Sequence, residues 1–221
     1  MPFDQDMPTQ VKICGLTTAM TLEAALTGGA DYVGLVFFPP SPRNLTLGAA
    51  AQLAAIARGR AQIVALMVDP DDTLVEAVVV ATQPDLLQLH GSETPERVAA
   101  LRARHGIAIL KAIKVETATD AAAAVTYQGV ADRILFDAKA PKALAGALPG
   151  GNGLAFDWRA LDGIREKVDF MLSGGLTPDN VAEAIQLTRA RAVDVSSGVE
   201  SKPGEKDVRL IAAFLAAAKA A

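Results

Sequence analysis

The chain has 221 residues, of which 51% are hydrophobic, and a formal net charge of −4 at pH 7. This length supports one barrel-sized α/β domain or two small domains, and the acidic balance argues against a nucleic-acid-binding surface. The N-terminal segment lacks the apolar run of a signal peptide, and no apolar stretch approaches the roughly 18 residues that span a bilayer. With Cys14 as its single cysteine, the chain is expected to be cytoplasmic and not to contact a membrane.

Short β-branched runs alternate with alanine-rich runs along the whole chain. Apolar strands separated by helices predict a parallel sheet covered by helices. Eight consecutive units without a linker predict an α/β fold, a single (β/α)8 TIM barrel over residues 1–221, with residues 1–10 as a short N-terminal extension. The predicted strands span residues 11–14, 31–37, 63–68, 86–90, 109–113, 133–136, 170–173 and 192–195. The predicted helices span residues 20–27, 47–57, 71–82, 95–104, 119–127, 157–164, 178–187 and 205–219.

One long irregular stretch, residues 138–155, follows the sixth predicted strand and is rich in proline and glycine. In a barrel this position lies on the C-terminal face, where the catalytic loops gather. Long loops in compact domains are either functional or disordered, so composition leaves both interpretations open.

Polar side chains stand at the ends of three predicted strands. Because side chains alternate along a strand, three sets share a face: Lys12 with Cys14, Gln88 with His90, and Arg133 with Leu135 and Asp137. If the last member of each set points inward, then Cys14, His90 and Asp137 line the mouth of the barrel, with Lys12 and Gln88 close by. Barrel enzymes place their reactive groups at this end.

Cys14 and Asp137 each have an ordinary interpretation and a chemical one. A free cysteine is commonly a small buried hydrophobe, and an acid after a strand can cap the next turn. On strands one and six, however, both side chains can reach one ligand over the barrel axis and act as an acid–base pair. A nearby cation such as Lys12 favours the thiolate, and a buried carboxylic acid can donate a proton.

Two glycine-rich turns follow the seventh and eighth predicted strands. The loops after these strands are the usual phosphate site of the fold, although two ordinary turns are the alternative. Thr177 is predicted to cap the next helix, with Pro178 as its first residue. The candidate phosphate-binding residues are Gly174, Gly175, Ser196, Ser197 and Gly198.

Arg43 lies in a proline-rich loop after the second predicted strand. The prolines limit the entropy lost when the loop is ordered, so the guanidinium can bind a substrate carboxylate in bidentate fashion. A solvated arginine is the alternative. His90 is equally open, because it can be a hydrogen-bonded wall residue or take part in proton transfer.

Taken together, these segments resemble the phosphoribosylanthranilate isomerase family of the tryptophan pathway. The resemblance covers nearly the whole chain after the first ten residues, and the family loop usually carries Thr or Ser where Asn152 stands. The matching runs include Lys12-Ile13-Cys14-Gly15-Leu16-Thr17, Ser41-Pro42-Arg43, Leu135-Phe136-Asp137 and Leu172-Ser173-Gly174-Gly175-Leu176, with residues 30–37, 87–91, 150–153, 156–158 and 194–200.

The resemblance implies an Amadori rearrangement of N-(5-phosphoribosyl)anthranilate, with Cys14 as general base and Asp137 as general acid. It implies that Arg43 binds the anthranilate carboxylate and that the two glycine-rich loops hold the phosphate. It implies no metal and no organic cofactor, and a small-molecule phosphosugar as the substrate. We expect a monomer, with a dimer as the alternative.

Two rival functions are less consistent with the residues. The histidine-pathway isomerase performs the same rearrangement on another aminoaldose, but that type of enzyme has an aspartate at the end of strand one, where this chain has Cys14. A catalytically silent barrel that binds a phospho-ligand would not need both Cys14 and Asp137.

Overall fold

Eight parallel strands close into a barrel in the order in which they occur along the chain. The computed structural model describes residues 8–139, 150, 151, 153 and 155–221. The α/β barrel predicted from the sequence is therefore confirmed. The strands are β1 (Gln10–Cys14), β2 (Tyr32–Phe37), β3 (Gln62–Met67), β4 (Leu86–Leu89), β5 (Ala108–Val115), β6 (Arg133–Ala138), β7 (Phe170–Leu172) and β8 (Ala192–Val195).

Helices pack around the outside of the barrel. They are α1 (Ala19–Thr27), α2 (Leu47–Ala57), α3 (Asp72–Thr82), α4 (Pro95–His105), α5 (Ala118–Ala122), α6 (Val181–Thr188) and α7 (Val208–Lys219). The first five start at a Thr or Asp whose side chain accepts the backbone N–H three residues on, which satisfies one of the unpaired donors of the first turn. Within the described ranges, no helix is long and apolar enough to cross a membrane.

Two predicted helices in the second half of the barrel are wrong in part. The one over residues 119–127 is α5 followed by a 3-10 helix, Ala123–Tyr127, because β-branched and aromatic residues end this segment. The one over residues 157–164 is only a 3-10 helix, Trp158–Leu161. Gly163, just beyond it, is a poor helix former.

The last two predicted helices begin later than expected. Thr177 is not the cap of α6: that position belongs to Asn180, whose Oδ1 accepts the Thr177 backbone N–H, and Pro178 lies in the preceding turn. Similarly, α7 is capped by Asp207. The residues before it form a hairpin that the sequence analysis missed, β9 (Glu200–Lys202) and β10 (Glu205–Lys206).

The hydrophobic core has two layers separated by the barrel wall. The larger lies between the strands and the surrounding helices, and the smaller fills the inside of the barrel. The inner layer contains Tyr32, Val64, Leu110, Ala112, Leu135, Met171 and Ala192. Since side chains alternate, Lys12 and Cys14 on β1, Gln88 on β4 and Asp137 on β6 share the inward face, as predicted.

Three aspartates form hydrogen bonds between neighbouring strands at the N-terminal end of the barrel. Each stands directly before an even-numbered strand and accepts a backbone N–H near the start of the strand before it. The pairs are Val11 with Asp31 at 2.7 Å, Ile63 with Asp85 at 2.7 Å, and Ile109 with Asp132 at 2.8 Å. Because these backbone donors are satisfied, they stabilise the N-terminal face of the barrel. The functional loops lie on the opposite, C-terminal face.

Substitution of Phe136 tests how much the packing of the outer core layer contributes to stability. The Phe136 side chain is fully buried on β6, with its ring centroid 5.5 Å from that of Phe170. We expect Phe136→Ala to lower the free energy of unfolding in urea by about 3–5 kcal/mol, since it leaves a cavity. The control, Val80→Ala on the exposed face of α3, should change it by no more than about 0.5 kcal/mol. Equal effects of the two substitutions would contradict this description of the core.

Candidate active site

The mouth of the barrel holds a cleft with an empty volume of about 760 Å³, including its opening. Nearly every residue predicted from the sequence lines it: Cys14, Arg43, Gln88, His90, Asp137, Gly174, Gly175, Ser196, Ser197 and Gly198. Lys12 is the exception, because it is fully buried inside the barrel beneath the cleft. The closed sheet thus brings together side chains that are far apart in sequence.

Cys14 ends β1 with only 3% of its surface exposed. Its neighbour in register on β2 is Gly34. A Cβ atom on Gly34 would lie 2.9 Å from the Cys14 sulfur and 3.0 Å from the Lys12 ammonium. Gly34 therefore makes the space in which the thiol and the ammonium fit, a role that no motif in the sequence pointed to.

The positive charge next to Cys14 is itself held by an acid. Lys12 Nζ donates to Asp194 Oδ1 at 2.8 Å, and Asp194 Oδ2 accepts from Ser173 Oγ at 3.0 Å. Burial alone would lower the pKa of Lys12, but Asp194 and then Cys14 outweigh it and raise that pKa above its ordinary value. Lys12 is thus a buried cation, and Asp194 is a site residue that the sequence analysis missed.

The pKa of the Cys14 thiol lies above its ordinary value. Burial is the largest cause, Lys12 opposes it, and Asp194 adds to it. The effect of Lys12 has the predicted sign, since a positive neighbour favours the thiolate. Burial nevertheless outweighs it, so this buried position favours the thiol.

Asp137 is held by a relay of buried side chains. Its Oδ2 lies 3.1 Å from His90 Nε2, and His90 Nδ1 lies 2.9 Å from Gln88 Nε2. A Cβ atom on Gly150 would come within 2.7 Å of His90 Nε2 and 2.8 Å of Asp137 Oδ2, so the backbone at Gly150 covers the pair. Gln88 Oε1 is buried and has no hydrogen-bond partner among the described residues.

A second buried ion pair fixes the loop that carries His90. Lys111 Nζ donates to Glu93 Oε2 at 2.8 Å and to the carbonyl oxygens of Leu89 at 3.2 Å and Gly91 at 2.9 Å. These carbonyls flank His90 on both sides. The pair lies outside the barrel wall, and the sequence analysis did not find it because nothing local links β5 to this loop.

Arg43 does not present its bidentate edge to the cleft. Its Nε and Nη2 donate to the two carboxylate oxygens of Glu200 at 2.7 and 2.8 Å, and Nη2 also donates to the Gly151 carbonyl at 3.3 Å. Burial alone would lower the pKa of Arg43, but Glu200 raises it. Among the described residues Nη1 has no hydrogen-bond partner. Glu200 therefore occupies the Nε–Nη2 edge of Arg43, and the bidentate substrate contact expected from the sequence stays a prediction.

Glu200 is shared by a second cation. Lys206 Nζ donates to Glu200 Oε1 at 2.7 Å, and the Gly204 backbone N–H donates to Oε2 at 3.1 Å. Burial opposes ionisation of Glu200, but Arg43 and Lys206 together keep its pKa below the ordinary value. The pKa of Lys206 is lowered by burial, against the opposing effect of Glu200.

The two glycine-rich loops pack directly against each other. Gly174 and Gly175 have φ of 88° and 66°, which favours glycine, and a Cβ on Gly174 would lie 2.5 Å from the Ala138 nitrogen. A Cβ on Gly198 would clash with the Leu176 carbonyl oxygen. The loops after β7 and β8 therefore form one side of the cleft, as a shared anion site requires.

The opposite side of the cleft is apolar. Val36, Phe38, Leu66 and Val68 line it, from the ends of β2 and β3. Val36 and Leu66 also pack against Cys14. This wall was not among the predicted site residues, although the alternation of side chains along β2 and β3 also predicts it.

Part of the predicted site cannot be placed. Residues 140–149, 152 and 154 lie outside the described part of the chain. The functional interpretation of the loop over residues 138–155 and the substitution at Asn152 therefore stay predictions.

Comparisons with known proteins show the family to which the chain belongs. The family model of N-(5'phosphoribosyl)anthranilate (PRA) isomerase matches residues 11–217. The chain belongs to the N-(5'-phosphoribosyl)anthranilate isomerase family. Two relatives with that name, from Rhodopseudomonas palustris and Parvibaculum lavamentivorans, are 56% and 54% identical to it. The alignments cover 97% of this chain in both cases, with 97% and 100% of the relatives.

Solved structures of phosphoribosylanthranilate isomerases have the same fold. The enzyme from Thermotoga maritima is 34% identical, with a TM-score of 0.85 over 96% of this chain and 100% of that chain. A second structure is in complex with reduced 1-(o-carboxyphenylamino)-1-deoxyribulose 5-phosphate. It is 33% identical, with a TM-score of 0.84 and the same coverage. The family resemblance seen in the sequence is thus confirmed.

Gly34 offers a direct test of how the isomerase site is packed. We expect Gly34→Ala to lower kcat/KM at least about tenfold, because the added methyl group displaces the Cys14 sulfur or the Lys12 ammonium. Gly48→Ala is the matched control: nothing lies within 4 Å of a Cβ at that exposed position on α2. Steady-state kinetics of both variants, each with a thermal unfolding curve, check this. An active, folded Gly34→Ala enzyme would refute the packing argument.

Proposed function

We propose that the chain converts N-(5-phospho-β-D-ribosyl)anthranilate to 1-(2-carboxyphenylamino)-1-deoxy-D-ribulose 5-phosphate, in tryptophan biosynthesis. The observation that carries the proposal is one cleft lined by a thiol, a histidine-paired carboxyl group, an arginine and two glycine-rich loops, in a chain of this family. The reaction is an aldose–ketose isomerisation, since C1′ is reduced to a methylene group while C2′ is oxidised to a ketone. No external oxidant is needed, and the proposed steps use no metal or organic cofactor.

The three chemical parts of the substrate match three sides of the cleft. The phosphate is proposed to bind Gly174, Gly175 and residues 196–198. The anthranilate ring lies against the apolar wall of Val36 and Leu66, and its carboxylate reaches Arg43 Nη1. This orientation places the sugar between Cys14 and Asp137. Binding energy from the two anionic ends can then be used to position the reacting carbon atoms.

Asp137 is the proposed general acid, which protonates the furanose ring oxygen as the ring opens to a Schiff base. Gln88 Nε2 donates to His90 Nδ1, so the histidine proton lies on Nε2, which donates to Asp137 Oδ2. This leaves Asp137 Oδ1 to carry the acid proton toward the substrate. Gln88 and His90 are thus proposed to orient the carboxyl group of Asp137.

Cys14 is the proposed general base, which removes the C2′ proton of the Schiff base. The product is an enolamine, which gains a proton at C1′ and loses the hydroxyl proton to give the ketone. Since burial raises the pKa of the thiol, forming the thiolate has a cost that Lys12 reduces. The cationic Schiff base brings a second positive charge next to the sulfur. This charge stabilises the Cys14 thiolate in the step in which it removes the C2′ proton.

Removing either proposed proton-transfer group tests this function. We expect Cys14→Ala and Asp137→Asn each to lower kcat by about 10²–10⁴ with the phosphoribosyl substrate, while the reduced product analogue still binds. Substrate consumption is followed by anthranilate fluorescence. Asp162→Asn, an exposed carboxylate on the outside of the barrel, is the control and should keep wild-type turnover. Near-normal turnover of Asp137→Asn would remove the acid assignment, and a wild-type protein inactive on this substrate would remove the function.

A cytoplasmic monomer remains our proposal for the assembly and location. The exposed large hydrophobic residues of the described chain each lie on a different helix, which supports a monomer. They are Met20, Leu47, Val80, Val125, Leu187 and Val208. One relative, from Thermotoga maritima, is described as dimeric.

A further inference from the structure

The hairpin after β8 buries a lysine behind the cleft. The Lys206 side chain is fully buried, and its Nζ donates to Glu200 Oε1 at 2.7 Å, to the Ser196 carbonyl at 2.9 Å and to Ser196 Oγ at 3.2 Å. These contacts use all three donors of the ammonium group. Lys206 therefore touches no ligand itself, and whatever it does at the cleft it does through Ser196 and Glu200.

The contact with Lys206 fixes what the Ser196 hydroxyl can do. A hydroxyl has one hydrogen to donate and two lone pairs that accept. Since Lys206 occupies a lone pair of Ser196 Oγ, the hydroxyl hydrogen is free to donate to another acceptor. Within the described residues that hydrogen has no acceptor, and Ser196 lines the cleft. The hydroxyl is thus arranged as a donor toward whatever binds there.

The charges around Glu200 also favour an anionic ligand. Two cations, Arg43 and Lys206, share the single Glu200 carboxylate, so this buried cluster carries one positive charge in excess. Uncompensated charge is costly away from water, and an anion in the adjoining cleft removes that cost. The cluster also joins the loop after β2 to the loop after β8. These loops are proposed to bind the carboxylate and the phosphate of the substrate, respectively.

We propose that Lys206 is a positioning residue for phosphate binding, which orients the Ser196 hydroxyl as a donor to the phosphate and, with Arg43 and Glu200, supplies the excess positive charge behind it. The proposal rests on the proposed function in one respect, that the phosphate binds beside Ser196. A purely structural lysine would hold the hairpin in place and affect stability, whereas a positioning lysine affects the affinity for anions.

Two matched lysine variants separate these roles. Lys206→Met removes the buried charge, and Lys202→Met removes an exposed lysine from the same hairpin, 67% of whose side chain is accessible. We expect Lys206→Met to raise both KM for the phosphoribosyl substrate and Ki for inorganic phosphate by about tenfold or more, and to lower kcat by less. Lys202→Met should leave all three unchanged. An unchanged Ki in folded Lys206→Met would overturn the proposal.

The Ser196→Ala variant and the double variant show whether Lys206 acts through Ser196. We expect Ser196→Ala to raise Ki for inorganic phosphate, and the double variant to raise it by less than the product of the two single effects. If Ki rises in Ser196→Ala but not in Lys206→Met, the role of Lys206 is overturned, while the phosphate site beside Ser196 is supported. An unchanged Ki in both single variants would overturn the phosphate site as well. If Lys206→Met does not fold, Lys206→Gln takes its place, with the same expectations.

Discussion

The site depends on one buried ion pair, Lys12 with Asp194, whose nitrogen and oxygen lie 2.8 Å apart with almost no access to solvent. A charge in such a position is tolerated only when it is paired and hydrogen-bonded, and the pair meets both conditions through Ser173. It joins β1 to β8 inside the barrel and places a cation directly beneath the cysteine. The absence of a side chain at Gly34 is the condition for this arrangement, because a methyl group there would occupy the same space.

The charged groups that the structure describes at the mouth are held by partners from other strands or loops. His90 from the end of β4 holds Asp137 of β6, and Glu200 after β8 holds Arg43 after β2. A closed barrel makes such pairs natural, since all strand ends with the same direction meet at one face. Because each group is fixed before a ligand arrives, little reorganisation is needed when charge develops during the reaction.

The sequence predicted the barrel, the strand positions and the inward faces, because the alternation of β-branched and alanine-rich runs, and of side chains along a strand, are local signals. It did not predict the partners. Arg43 and Glu200 are 157 residues apart, and nothing near either one indicates that the other occupies its bidentate edge. The hairpin with Lys206 was missed for a different reason. Its Lys202-Pro203-Gly204 run indicates a turn, but residues 205–219 were interpreted as one helix, which left no residues for the second strand of the hairpin. The capping role given to Thr177 was wrong because Asn180 offers a competing side chain.

We conclude that the two charges of the Lys12–Asp194 pair shift the pKa of Cys14 in opposite directions, in addition to the larger effect of burial. The pH dependence of alkylation by iodoacetamide tests it directly, because the chain has only this cysteine. The alkylation midpoint should rise in Lys12→Met, which loses a positive charge, and fall in Asp194→Asn, which loses a negative one. A general disturbance of the site would move both midpoints in the same direction. Midpoints that shift together, or that do not shift at all, would contradict the account.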